Sequence, residues 1–144
     1  MDKASDSRLF HFTILRLIKT QFTLGSQERL KSRKLMEQLF RQGSTFFIHP
    51  LKIYYASKDL PQGITLQAGF GVSSRVFKKA VDRNRIKRLL REAYRLQKNQ
   101  LHQSLTTANR QLAVFILYTG KELPEFDFIK EKMNAVLHNL EKQK

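Results

Sequence analysis

Arg75-Val-Phe-Lys-Lys-Ala-Val-Asp-Arg-Asn-Arg-Ile-Lys-Arg-Leu-Leu-Arg-Glu-Ala-Tyr-Arg-Leu-Gln-Lys98 is the stretch from which the fold is read. Wound at about 100° per residue, Ile86, Leu89, Leu90, Ala93, Leu96 and, further on, Leu101 gather on one side. Asn84, Lys87, Arg88, Arg91, Arg95 and Lys98 gather on the other. The pattern predicts an amphipathic helix that needs an apolar surface beneath it and turns a cationic stripe outward. A merely solvated helix face intersperses Glu with its basic residues for i,i+4 pairing. Here only Asp82 and Glu92 stand against Arg75, Lys78, Lys79, Arg83, Arg85, Lys87, Arg88, Arg91, Arg95 and Lys98. Arginine is preferred to lysine on the stripe, which suits phosphate because the planar guanidinium donates two parallel hydrogen bonds. If about five phosphates are neutralised, log K against log salt slopes at roughly −3.5 to −4.5. Such a stripe does not separate RNA from DNA, nor a specific site from a general one.

The surface beneath the helix is supplied by strands on either side of it. Ile64, Leu66, Ala68, Phe70 and Val72 alternate with Thr65, Gln67, Gly69 and Gly71, and Leu51, Ile53 and Tyr55 alternate with Lys52 and Tyr54, the period-2 signature of half-buried strands. Lys52, Tyr54, Gln67, Gly69 and Gly71 therefore share the outward face. Two glycines there either permit close approach of another backbone, such as a ribose-phosphate chain, or are tolerated at a bulge. Gln111-Leu-Ala-Val-Phe-Ile-Leu-Tyr118 is a continuous apolar run suited to a buried central strand. A first helix is predicted to start at Ser26 or Gln27, with Leu30, Leu35, Met36, Leu39 and Phe40 at helical spacing and Gly43 at its end. After Pro124, the stripe Phe126, Ile129, Met133, Val136, Leu137 and Leu140 predicts a closing helix. Read from the residues alone, the order is α-β-β-α-β-α.

Composition bounds what such a domain does. The chain has 144 residues, a formal net charge of +15 and no cysteine. A chain of this length buries enough surface to stand without disulfides or structural metal. With no Cys, thiolate nucleophiles, Fe–S clusters and Cys-containing zinc sites are excluded. The charge excess calls for an acidic partner, nucleic acid first and an anionic membrane second. Leu9 to Leu24 is interrupted by His11, Arg16, Lys19 and Gln21, short of the roughly 18 apolar residues a spanning helix needs. Asp2 and Asp6 sit where a secretory signal is positive, so residues 1–21 read as a poorly ordered or loosely docked extension and residues 22–144 as one domain. An autonomous nuclease is disfavoured. Asp59, Asp82, Glu92, Glu122, Glu125 and Asp127 show no repeated ligand spacing, and His11, His49, His102 and His138 form no HxH, HExxH or i,i+4 pair.

Arg83-Asn-Arg-Ile-Lys-Arg-Leu-Leu-Arg-Glu-Ala-Tyr-Arg95 resembles the RNR signature of the bacterial ribonuclease P protein family. The likeness extends through Phe70-Gly-Val-Ser-Ser-Arg-Val-Phe-Lys-Lys-Ala-Val81, Arg29-Leu-Lys-Ser-Arg-Lys and Leu39-Phe40-Arg-Gln-Gly43, about Phe22 to Lys142 in all, with one extra residue between Val72 and Ala80. The resemblance implies an α+β fold, an α-β-β-β-α-β-α two-layer sandwich whose four-stranded, mostly antiparallel sheet carries a left-handed β-α-β crossover. It implies a ribonucleoprotein endonuclease that removes the 5′ leader of precursor tRNA by hydrolysis, the catalysis lying with the RNA subunit and its Mg2+ ions. Carried over residue by residue, Arg83, Asn84, Arg85, Lys87, Arg88, Arg91 and Arg95 would bind that RNA. Met36, Phe40, Lys52, Tyr54 and Gln67 would line the leader cleft, with packing the better role for Met36. No catalytic residue and no metal site is expected in the protein. The implied partners are the catalytic RNA and precursor tRNA, with no membrane, a cytoplasmic location and a protein monomeric on its own. A ribosomal RNA-binding component is the rival reading, since it needs only the basic helix.

Overall fold

The structure, a computed structural model, describes residues 24–143. The extension expected over residues 1–21 lies outside the described residues. The described elements, in chain order, are α1 (Arg33–Gln42), β1 (Ser44–Ile48), β2 (Leu51–Ser57), β3 (Leu66–Val72), α2 (Ala80–Gln97), α3 (Asn99–Thr107), β4 (Leu112–Tyr118) and α4 (Phe126–Lys142). The four strands form one mixed sheet in the order β1-β2-β4-β3, antiparallel except for the parallel β3–β4 pair. The fold is α+β, and the crossover from β3 to β4 carries the cationic helix as the resemblance implies.

Alternation in β2 and β3 sorts side chains between two cores. Leu51, Ile53, Leu66, Ala68, Val114 and Ile116 point to one face, where Ile86, Leu90, Ala93 and Tyr94 of α2 and Ile129, Met133 and Val136 of α4 close over them. On the other face a smaller cluster gathers Leu30 and Leu39 against Ala113, with Leu35, Met36, Tyr54, Ala56 and Phe115 around it. β4 is apolar at every position because it is central and covered on both faces, as the continuous run predicts. Asn109, at φ 54°, takes the left-handed turn that ends α3, and the Arg110 N–H donates back to the Leu105 carbonyl at 2.9 Å.

Four sequence expectations are corrected. The first helix starts at Arg33 rather than near Ser26, with Ser32 Oγ accepting from the Leu35 N–H at 3.2 Å. Ser26–Glu28 is a single 3-10 turn. Leu30 is buried outside any helix, in extended chain whose N–H donates to the Ala68 carbonyl at 2.9 Å. Second, β1 is a strand that the residues alone did not show. It is short and mostly exposed, and side-by-side Phe46 and Phe47 blur the alternation. Third, the crossover holds two helices, because the chain passes from α2 into α3 at Lys98. Fourth, Lys98 does not belong to the outer stripe. It is 3% exposed, and its ammonium donates to both Glu28 carboxylate oxygens at 2.8 and 3.0 Å.

Candidate nucleic-acid interface

α2 has the two sides its spacing predicts. Ile86, Leu90, Ala93 and Tyr94 are buried, and Asn84, Arg85, Arg88 and Arg91 are exposed, with Lys87 half-buried. Among the described residues, no side chain or backbone group pairs with Arg85, Lys87, Arg88 or Arg91, so their donors face solvent. Arg83 and Arg95 are placed differently. Arg83 Nη1 donates to the Phe77 and Lys78 carbonyls, each at 2.8 Å, which pins the chain leading into the helix. Arg95 is ion-paired to Glu92, its Nε donating to Glu92 Oε2 at 3.1 Å. That hydrogen bond holds the Glu92 carboxyl below the usual carboxylate range and the Arg95 guanidinium above its own. If each of these four cations neutralised one phosphate, the salt slope would be roughly −2.8 to −3.6, from about 0.7–0.9 per phosphate.

A strap in front of α1 adds a charge that spacing did not single out as a binding residue. Arg29 bridges in parallel to Ala68 on the free edge of β3, the Gln67 side-chain amide donates to the Gln27 carbonyl at 2.9 Å, and Glu28 holds Lys98. Thus tethered, Arg29 lines a cavity of about 300 Å³ with Leu24, Arg88, Arg91, Glu92 and Arg95. Only the register of strap on strand brings residue 29 beside residues 88–95. A larger cavity, about 770 Å³, lies where β2 ends and β3 begins, lined in part by Lys58, Asp59, Thr106 and Arg110, and gathers no catalytic group.

The opposite face of the sheet carries Tyr54 and Phe115, with Phe40 of α1 against them. Phe40, 47% exposed, meets Tyr54 edge-on at 4.9 Å between centroids and Phe115 at 5.0 Å. Lys52 Nζ stands 5.2 Å from the centre of the Tyr54 ring. Met36 packs in the small core, and Gln67 is half-buried and tied to the strap. Phe40, Tyr54 and Lys52 are thus brought together, with Gln67 in a different row of the sheet.

The bare glycine face is also corrected. Gly69 and Gly71 are both buried, and the Phe115 ring lies across them. A Cβ at Gly69 would stand 2.9 Å from Phe115 Cδ2, and one at Gly71 would stand 2.7 Å from Cζ. The glycines admit the ring that supports Phe40, rather than a ligand backbone. Register explains it, since Gly69 pairs with Phe115, which in turn pairs with Tyr54. The pair of glycines on one strand face was the signal for a large neighbour on the adjoining strand.

Among the described residues no group of three or more His, Asp or Glu side chains is placed to hold a metal ion. No helix of the described residues is long and apolar enough to cross a membrane. Fold and site define a class: a strongly cationic α+β domain with an arginine-rich helix on one side of its sheet and a partly exposed aromatic cluster on the other.

Comparison with known proteins narrows the class. The family model for ribonuclease P matches residues 24–141. The ribonuclease P protein component of Porphyromonas gingivalis is 32% identical over 116 residues, 81% of this chain and 85% of the relative. That of Chlorobium phaeobacteroides is 30% identical over 128 residues, 82% and 88% of the two chains. The RNase P protein structures from Staphylococcus aureus and Thermotoga maritima share the fold, each with a TM-score of 0.62, at 18% and 20% identity. Each alignment covers 78% of this chain, with 94% and 96% of the respective structures. The chain belongs to the ribonuclease P protein family, and its role is in ribonuclease P, the enzyme of tRNA processing.

Proposed function

We propose that this chain binds the catalytic RNA of ribonuclease P through the outward cations of α2 and the 5′ leader of precursor tRNA through the Phe40–Tyr54 face. The RNA, with Mg2+ held mainly on it, then hydrolyses the phosphodiester bond and leaves a 5′-phosphate on the mature tRNA. The observation that carries this reading is the presence of two chemically different surfaces on opposite faces of the sheet. A general RNA binder needs only the cationic helix. The Phe40–Tyr54 cluster adds base-sized apolar faces beside Lys52, the combination that binds single strands with little sequence preference.

The division of labour follows from the substrate. Mature tRNA has no leader, so contacts at Phe40 and Tyr54 add affinity for precursor only, and product leaves without opposing them. The α2 contacts are made whether or not tRNA is bound. The protein works as a cytoplasmic monomer until it joins the RNA. Its Arg83 shapes the loop before α2 while Arg85, Lys87, Arg88 and Arg91 meet phosphates.

Paired substitutions test the assignment. Tyr54→Ala is expected to weaken precursor tRNA binding by the reconstituted enzyme about 5- to 20-fold, at the lower end of base-stacking energies, and to leave mature tRNA binding unchanged. Arg88→Ala is expected to weaken assembly with the RNA subunit. Equal losses for precursor and mature tRNA on Tyr54→Ala would remove the dedicated leader face and favour a general RNA binder.

A further inference from the structure

Resting on the leader face just described, we propose that Phe47, with His49 beside it, forms a second stacking station for single-stranded leader RNA, separate from Phe40–Tyr54 and reached across Lys52. Phe46 and Ile48 of β1 pack inward against the main core, so Phe47 between them points to the opposite face, the one that carries Tyr54. It is 56% exposed, and the core does not use it. Phe47 pairs with Lys52, whereas Tyr54 pairs with Thr45 one step along the same face, so Phe47 and Tyr54 are diagonal neighbours on adjacent strands, roughly 7–8 Å apart.

His49 meets the Phe47 ring at 5.8 Å between centroids with 60° between planes, which braces one edge of the ring and leaves a face open. Lys52 sits between the stations and offers its ammonium to a connecting phosphate. No Asp or Glu occupies any position on the four strands, so the strands themselves present no carboxylate to an RNA backbone. β1 is an edge strand, so a chain crossing Lys52 reaches Phe47 unobstructed by a further strand.

The experiment uses enzyme reconstituted from the RNA subunit and full-length protein, with precursor tRNAs carrying one abasic nucleotide at successive leader positions. Phe47→Thr, which keeps a strand-forming residue, is expected to weaken intact precursor about 5- to 20-fold and to leave mature tRNA unchanged. At one leader position the abasic substitution should abolish that difference, and this position should not be the one that abolishes the effect of Tyr54→Ala. Phe47→Trp, which retains a stacking face, should bind as wild type. Affinity within twofold of wild type for every leader on Phe47→Thr, with Tyr54→Ala still harmful, would overturn the second station alone. No loss from either variant would overturn the leader face and the station with it. A shift from self-associated to monomeric protein on Phe47→Thr, without change in leader affinity, would instead make Phe47 a protein contact and overturn the proposal.

Discussion

Replacing Gly71 with alanine should damage the molecule in two places at once. The new Cβ would stand 2.7 Å from Phe115 Cζ and 2.9 Å from Cε1. Carbon pairs are at their best near 3.5–4.0 Å, so the ring must retreat by roughly 0.8 Å or more. It has little freedom to do so, because Phe40 lies against it at 5.0 Å between centroids. Overpacking of this kind costs about 1–3 kcal/mol, and the reduced entropy of the unfolded chain offsets about 0.4–1 of it. The net expectation is a loss of about 0.5–2 kcal/mol, read as a lower urea midpoint at unchanged slope. Phe40 moves with Phe115, so precursor tRNA affinity should fall while mature tRNA affinity holds. Trimming the ring tests the cause: Gly71→Ala combined with Phe115→Leu should be more stable than the sum of the single losses by about 0.5 kcal/mol or more. A Gly71→Ala protein as stable as wild type, or strict additivity in the double variant, would refute the wedge of Phe115 on the glycine.

Three further outcomes are expected. Burial, with the Glu28 charge nearby, raises the Tyr94 phenol well above its ordinary range. The folded state therefore keeps this proton longer than the unfolded state, and the contribution is present below about pH 10 and lost as pH rises beyond it. Denaturant titrations from about pH 9 to 11 should show wild type losing stability more steeply than Tyr94→Phe. Glu28→Gln removes the charge facing Lys98 and should cost about 1–3 kcal/mol, less than a fully buried pair because Glu28 is partly exposed, with faster hydrogen exchange at the Leu30 amide. Arg88→Ala should reduce the salt slope of RNA-subunit binding by about 0.7–0.9, measured as log K against log salt, and an unchanged slope would mean that Arg88 meets no phosphate.

Periodicity made the two sides of α2 legible, because burial and charge there both follow from one helix lying on one sheet. It misplaced Lys98, since an outward position by helical winding says nothing about Glu28 arriving from the far end of the chain to cover it. The same limit moved the start of the first helix. Leu30 fits a 3.6-residue spacing and is indeed buried, yet its backbone is spent on the edge of β3. The Phe40–Tyr54 pairing was reached through family resemblance together with the alternation of β2. Phe115, the ring beneath them, looked like any residue of a buried strand until the register placed it over two glycines. Arg29 was legible as charge and motif but not as a neighbour of Arg88 and Arg91, because that contact depends on how the strap crosses the sheet edge.

The most direct test mixes the full-length protein with the catalytic RNA subunit and a leader-bearing precursor tRNA at low magnesium, and measures leader release with and without protein. Stimulated cleavage at the mature 5′ end, reduced by Tyr54→Ala for leader-bearing substrate and by Arg88→Ala at limiting RNA subunit, is the predicted result. Binding to the RNA without any stimulation of cleavage would contradict a cofactor role and leave an RNA-binding domain of this fold with a different task.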